Sequence, residues 1–175
     1  MKLLDENISI LAEKWGHLLR KKKLKCAVAE SCTGGGIAFA ITSVRGSSEW
    51  FERGFVTYSD LSKQELLDIP ENIIQAYGAV SKETAEKMAE GALAKSSVDF
   101  AISVTGIAGP DGGSKEKPVG TVWFGFAAPM MDTQTSHQYF TGSNNSAGTS
   151  RLAIRLAAVR YAFEWSHAIL EGEFP

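Results

Sequence analysis

The chain has little from which to build a covalent or metal framework. Two cysteines, Cys26 and Cys32, are too few and too close together for a secreted disulfide scaffold, and neither a CxxC pair nor a His/Cys cluster at zinc spacing occurs. The three histidines, His17, His137 and His167, are scattered and fall in no glycine-rich segment. No apolar run approaches the length of a membrane span. The opening stretch MKLLDENISILAEKW carries acids among its apolar residues, which a signal peptide does not. An excess of one charge is also missing: a formal net charge of −2 gives no electrostatic reason to expect nucleic acid. A reducing cytoplasm is the expected location, with no membrane and no nucleic-acid partner.

What remains is ordinary globular composition. The 175 residues suit one domain, and 44 % apolar with 22 % charged residues can bury a real core. No internal repeat and no linker splits the chain, so a single domain over 1–175 is expected. Residues 3–19 place Leu4, Ile8, Leu11, Trp15, Leu18 and Leu19 at three- and four-residue spacings, an amphipathic helix. It runs into RKKKLK, residues 20–25, read either as a nucleic-acid patch or as cations complementing a helix C-terminus; the acidic chain favours the second. Residues 26–31 (CAVAES) form a short, apolar, bounded run, a buried strand, and 35–44 a helix packed closely on it. Strand-like residues 51–59 precede a helix in SDLSKQELLDI with Ser59 or Asp60 as N-cap. Pro70 opens a short helix, Ser81 caps another, and 98–105 is a second buried strand. Two neighbouring strands over 120–129 and 135–141 and a polar loop GSNNSAGTS follow. Ser150 caps a last helix over 151–165. Helices alternate with strands early and two strands come in succession late. This predicts an α/β fold, a three-layer α/β/α sandwich with a mixed, mostly parallel sheet.

Two apolar strands end in glycine-rich turns, AES-CTGGG and SVT-GIAGPDGG. In open α/β sheets ligands bind beyond the carboxyl ends of strands, so two such turns can face one crevice. Their glycines admit close backbone approach, and a helix starting near Gly35 adds a positive dipole end, which favours a bound phosphate or a developing oxyanion. Neither turn is a P-loop or a GxGxxG. Ser31, at the strand-to-helix junction, is either an N-cap or a nucleophile. Cys32 lacks a histidine partner and reads as a small buried residue. A nucleophilic Ser31 without histidine needs another base, and a neutral lysine is the natural candidate. Lys63 lies in a first helical turn, where desolvation and the helix dipole both lower a lysine pKa; otherwise it is a solvated helix-face lysine. Tyr58 either relays a proton or is a strand aromatic, and Thr105 either bonds the pair or substrate or ends its strand. Arg151 and Arg155, four apart, share one helix face and suit phosphate or carboxylate, or else form a solvated stripe. Lys115 and Lys117 are a weaker version of the same.

AESCTGGG, GFVTYSDLSKQELL, GAVSKETAEKMAEGA, SVTGIAGPDGG and KPVGTVWFGF occur in this order. The set resembles the CinA C-terminal domain family, of nicotinamide-nucleotide amidase type, over about residues 25–163. The resemblance implies an α/β/α fold and hydrolysis of the carboxamide of nicotinamide mononucleotide (NMN) in NAD salvage, without metal or cofactor. It implies Ser31 as nucleophile and Lys63 as base, with Tyr58 and Thr105 in support. Thr33, Gly34, Gly35, Gly106, Gly109, Arg151 and Arg155 would hold the nucleotide, with backbone N–H groups around 33–35 facing the oxyanion. Ser59 stands where the family often has Asn. A homodimer or higher homo-oligomer is the expected assembly. The competing expectations are a non-catalytic nucleotide-binding or regulatory domain of the same fold, and a DNA-associated factor, which predicts a basic face.

Overall fold

The computed structural model describes residues 5–141 and 150–172. The first helix, α1 (Glu6–Lys22), starts where Asp5 accepts a hydrogen bond from the Asn7 N–H. It buries the stripe Ile8, Ala12, Trp15, Leu18 and Leu19, as its periodicity predicts. Arg20, Lys21 and Lys22 form its last turn, where cations complement the partial negative charge of the exposed carbonyls. Then come β1 (Cys26–Glu30), α2 (Gly36–Thr42), β2 (Phe51–Val56), α3 (Asp60–Leu67), α4 (Glu71–Tyr77) and α5 (Lys82–Ala94). The chain continues through β3 (Phe100–Gly106), β4 (Thr121–Ala127), β5 (Gln134–Tyr139) and α6 (Arg151–Gly172).

The five strands lie in the order β2-β1-β3-β4-β5. β1 pairs in parallel with β2 and β3, β4 is antiparallel to both of its neighbours, and four of the five strands therefore run the same way. This is the expected mixed sheet. The chain leaves β1 to form β2 on one side and later returns to form β3 on the other. The carboxyl end of β1 is thus a topological switch point, where an open α/β sheet leaves a crevice.

Helices α1, α2 and α6 cover one face. There Trp15 meets Trp50, Phe100 and Phe163 edge-on, with ring centroids 5.8, 5.7 and 5.4 Å apart. The opposite face is packed by α3, α4 and α5, where Ala27, Ala29 and Ala101 meet Leu67, Ile69, Met88 and Ala92. Small residues let this layer approach closely: a Cβ on Gly91 of α5 would lie 2.3 Å from the Leu67 carbonyl oxygen. Being covered on both faces accounts for β1 reading as an uninterrupted apolar run.

Several boundaries differ from expectation. β2 ends at Val56 rather than reaching 59. Thr57 N–H still bonds Glu30 O, but the next carbonyls turn away toward α3. β3 begins at Phe100. α6 runs past 165 to Gly172, because Ile169 and Leu170 continue its buried face against the core around α1. Residues 142–149 of the expected polar loop lie outside the described residues. Ser150 does cap α6, accepting from Ala153 N–H at 3.2 Å. No helix among the described residues is long and apolar enough to cross a membrane.

Candidate active site

Ser31 follows β1 at the switch point. Its N–H bonds Val104 O of β3 at 2.9 Å, which extends the sheet by one residue and holds the serine over the crevice. The two glycine-rich turns do face one cleft, of about 220 Å³. Its walls include Ser31, Cys32, Tyr58, Lys63, Thr105 and Arg151, with Ala79, Val80, Gly106 and Ala108 completing it. Ser31 is 8 % exposed.

Lys63 arrives from the other side. Ser59 and Ser62 form a reciprocal capping box that starts α3 beside the cleft. A helical side chain leans toward its own N-terminus, so Lys63, in the first turns of α3, points back at the chain that precedes the helix. It is 1 % exposed, not a solvated helix-face lysine. Its Nζ stands 2.9 Å from Thr57 O, 3.3 Å from Ser31 Oγ and 3.4 Å from Tyr58 O. Burial lowers its pKa, against weaker opposing pulls from Asp60 and Cys32. With its proton lost, the amine keeps two N–H donors for the two carbonyls and turns a lone pair on the serine hydroxyl.

Tyr58 and Thr105 also line the cleft but have partners of their own. Tyr58 is 60 % exposed and its hydroxyl accepts from Arg151 Nη2 at 2.7 Å. Thr105 donates to Ala79 O at 2.8 Å, tying the α4–α5 connection against the end of β3. Gly106 allows close strand pairing, since a Cβ there would lie 2.8 Å from Thr121 O. Gly109 offers its carbonyl to Arg151 Nη1 at 2.7 Å.

The two arginines separate. Arg151 crosses the cleft mouth, whereas Arg155 donates to Thr33 O at 2.8 Å behind the serine turn. With Gly34, Gly35 and Gly36, Arg155 lines a second hollow walled by Ile8, Phe39, Leu152 and other apolar residues. Thr33, Gly34, Gly35 and Arg155 are therefore not among the residues that line the Ser31 cleft. Lys117 donates to Tyr77 O, outside it.

The positive end of α2, read from sequence as a seat for a bound anion, already holds one. Glu30 Oε2 accepts from Ile37 N–H at 3.0 Å and Oε1 from Ala38 N–H at 2.8 Å. Sequence reasoning passed over Glu30. The signal was an acid closing a wholly apolar strand just before a helix that opens on glycine and has no Ser, Thr, Asp or Asn in the capping position. The turn itself closes through Gly34 N–H to Ser31 O and Gly36 N–H to Thr33 O. No oxygen among the described residues accepts from the N–H of Cys32, Thr33 or Gly35. The Cys32 thiol is buried and pushed up to about 12, by burial first and by Glu30 second, so it is held as a thiol at neutral pH. A larger open groove, about 670 Å³, lies away from the cleft among Lys14, His17, Arg20, Arg45 and His167. Arg20 there bonds Arg45 O.

Comparison with known proteins agrees with this architecture. The family model of the CinA C-terminal domain matches residues 8–170, a wider span than the motifs alone suggest. The chain is 48 % identical over 160 residues to nicotinamide-nucleotide amidohydrolase PncC of Enterobacter agglomerans, covering 91 % of this chain and 93 % of that one. It is 43 % identical over 162 residues to the protein of the same name from Escherichia coli K12, covering 93 % and 94 %. The crystal structure of competence/damage inducible protein CihA from Agrobacterium tumefaciens superposes with a TM-score of 0.89 at 41 % identity, over 98 % of this chain and 99 % of that one. The chain belongs to the CinA C-terminal domain family.

Proposed function

We propose that this protein hydrolyses the carboxamide of NMN to nicotinate mononucleotide and ammonia, with Ser31 as nucleophile and Lys63 as its base. The observation that carries the reading is the buried Lys63 amine within 3.3 Å of Ser31 Oγ, in a cleft, with burial lowering its pKa. The names of the two relatives supply the substrate.

Ser31 Oγ attacks the amide carbon while its proton passes to neutral Lys63. The oxyanion meets peptide N–H groups of the turn that follows Ser31. Protonated Lys63 then gives its proton to the departing nitrogen, and ammonia leaves. A water, deprotonated in turn by Lys63, attacks the acyl-enzyme and frees the carboxylate. Arg151 uses two of its five N–H donors on Gly109 O and Tyr58 Oη, which brace it across the cleft mouth. No other acceptor among the described residues takes the rest, which would face the nucleotide phosphate. Thr105 holds the Ala79–Val80 wall rather than the proton path.

Purified protein incubated with NMN, a chelator present, is expected to release ammonia and nicotinate mononucleotide in equal amounts. NMN binding without release would replace this reading with the non-catalytic nucleotide-binding domain.

We further propose that residues 1–175 act as one cytoplasmic domain that self-associates, without nucleic acid. Phe39 and Leu152 are exposed around the hollow at Gly34–Gly36 and exposed Val56 stands beside Gly35, an apolar patch that supports an interface between copies. Sedimentation is expected to give a homodimer or higher homo-oligomer; a monomer mass at micromolar concentration would remove it.

A further inference from the structure

Thr33, two residues after the nucleophile, is gripped from two sides by opposite charges. Its hydroxyl donates to Glu30 Oε2 at 2.6 Å, and its carbonyl accepts from Arg155 Nη2 at 2.8 Å. The two charged residues come from opposite ends of the chain, one closing β1 and one in α6. Glu30 is fully buried, and no cation among the described residues pairs with it at salt-bridge distance.

Burying an unpaired carboxylate is expensive, and only its hydrogen bonds offset the cost. Capping α2 does not need this: a neutral Ser or Asn does that work without desolvating a charge. What the carboxylate adds is acceptor-only chemistry at both oxygens and a short, charge-assisted bond to Thr33. Arg155 shows the same pattern. Its Nε is buried without a partner among the described residues, yet the residue keeps its Nη2 on a backbone carbonyl. Gly34, which follows Thr33, has φ +57°, and a Cβ there would already touch Arg155 Nη2 at 3.4 Å. The turn is glycine-rich, and its own restraints are two backbone hydrogen bonds, Gly34 N–H to Ser31 O and Gly36 N–H to Thr33 O. The two charges add to them.

We infer that Glu30 and Arg155 are positioning residues that clamp Thr33 and so set the direction of the peptide N–H groups beside Ser31. Neither touches the substrate; Arg155 acts on the turn, not on the phosphate. The inference rests on the serine-nucleophile reading above.

The test reads the turn without relying on NMN. An alkyl fluorophosphonate labels an activated serine: Ser31 Oγ forms the P–O bond, the P–F bond breaks, fluoride leaves and the hydroxyl proton passes to Lys63. Labelling rates from intact mass are compared for wild type, Glu30→Gln, Thr33→Val, Arg155→Met and the Glu30→Gln/Thr33→Val double variant. Each single change is expected to slow labelling at least about tenfold, the loss that follows misdirected oxyanion donors. KM for NMN should stay within about twofold of wild type, since no substrate contact is lost. The double variant should be no slower than the slower single, because both changes remove one bond. Thr33→Val is nearly isosteric and keeps the test alive if Glu30→Gln does not fold. Wild-type labelling in Thr33→Val with only a lowered Tm would reduce Glu30 to a helix cap and overturn the inference. A raised KM with unchanged labelling in Arg155→Met would return that arginine to the substrate and overturn it too. Labelled wild type that leaves NMN intact would remove the substrate assignment while the clamp is still decided by the variant rates. Unlabelled wild type would overturn both.

Discussion

Ser31→Ala and Lys63→Met are each expected to lower kcat for NMN hydrolysis by at least about a thousandfold, and the double variant by little more, because a nucleophile and its base act as one unit. Ser31→Ala removes the attacking atom and leaves the cleft walls intact, so NMN binding should persist in it. Lys63→Met keeps the length and bulk of the side chain and removes the amine. The buried amine sits at 1 % exposure, and its desolvation opposes folding. Thr57 O loses a partner in the variant, a cost of about 1–3 kcal/mol for a buried acceptor. The two effects oppose each other, so the variant should fold with a Tm near that of wild type. Activity measured with product detection, beside circular dichroism of the same samples, separates the cases. Either variant retaining a tenth of wild-type kcat would end the proposed dyad.

The pH dependence should carry the signature of the same lysine. Burial lowers the Lys63 pKa from the 10.5 of a free side chain. Catalysis requires the neutral amine, so kcat/KM should rise with pH and level off below 10.5, once Lys63 has lost its proton. The sign for stability follows from the same shift. Between the folded and unfolded pKa values the unfolded chain binds more protons at this site. Stability therefore gains from this site as pH rises through the lowered folded value, and the gain is complete once pH passes the unfolded value. Chemical unfolding of wild type and Lys63→Met across this range should show that component in wild type alone. A kcat/KM that falls through this window, or a rising limb unchanged in the residual activity of Lys63→Met, would rule out lysine as the base.

Local chemistry was legible residue by residue. The spacing of Ile8, Trp15 and Leu19 announced α1, and Ser59, Ser81 and Ser150 announced the starts of α3, α5 and α6, because caps and apolar stripes act within a turn or two. The continuous apolar runs of β1 and β3 announced strands covered on both faces. The end of α6 was missed because the reading stopped at 165, short of the stop signal of Gly172 and Pro175; Ile169 and Leu170, which reach the core, lie between. Arg151 and Arg155 were read as a pair because i,i+4 residues share a helix face. That face lies along the boundary between two hollows, and the pair divides between them.

The sequence by itself determined the elements, their caps, the two glycine-rich turns at strand ends and the family to which their order belongs, since all of these are written in short-range spacing. The tertiary structure alone decided the electrostatics. Ser31 and Lys63 are 32 positions apart, and Thr33 and Arg155 are 122 apart. Whether a lysine is solvated or buried with its pKa lowered, and whether a helix end is open to a phosphate or already filled by Glu30, depends on which groups the fold removes from water together. Desolvation is a property of the packed interior, and no stretch of sequence contains it.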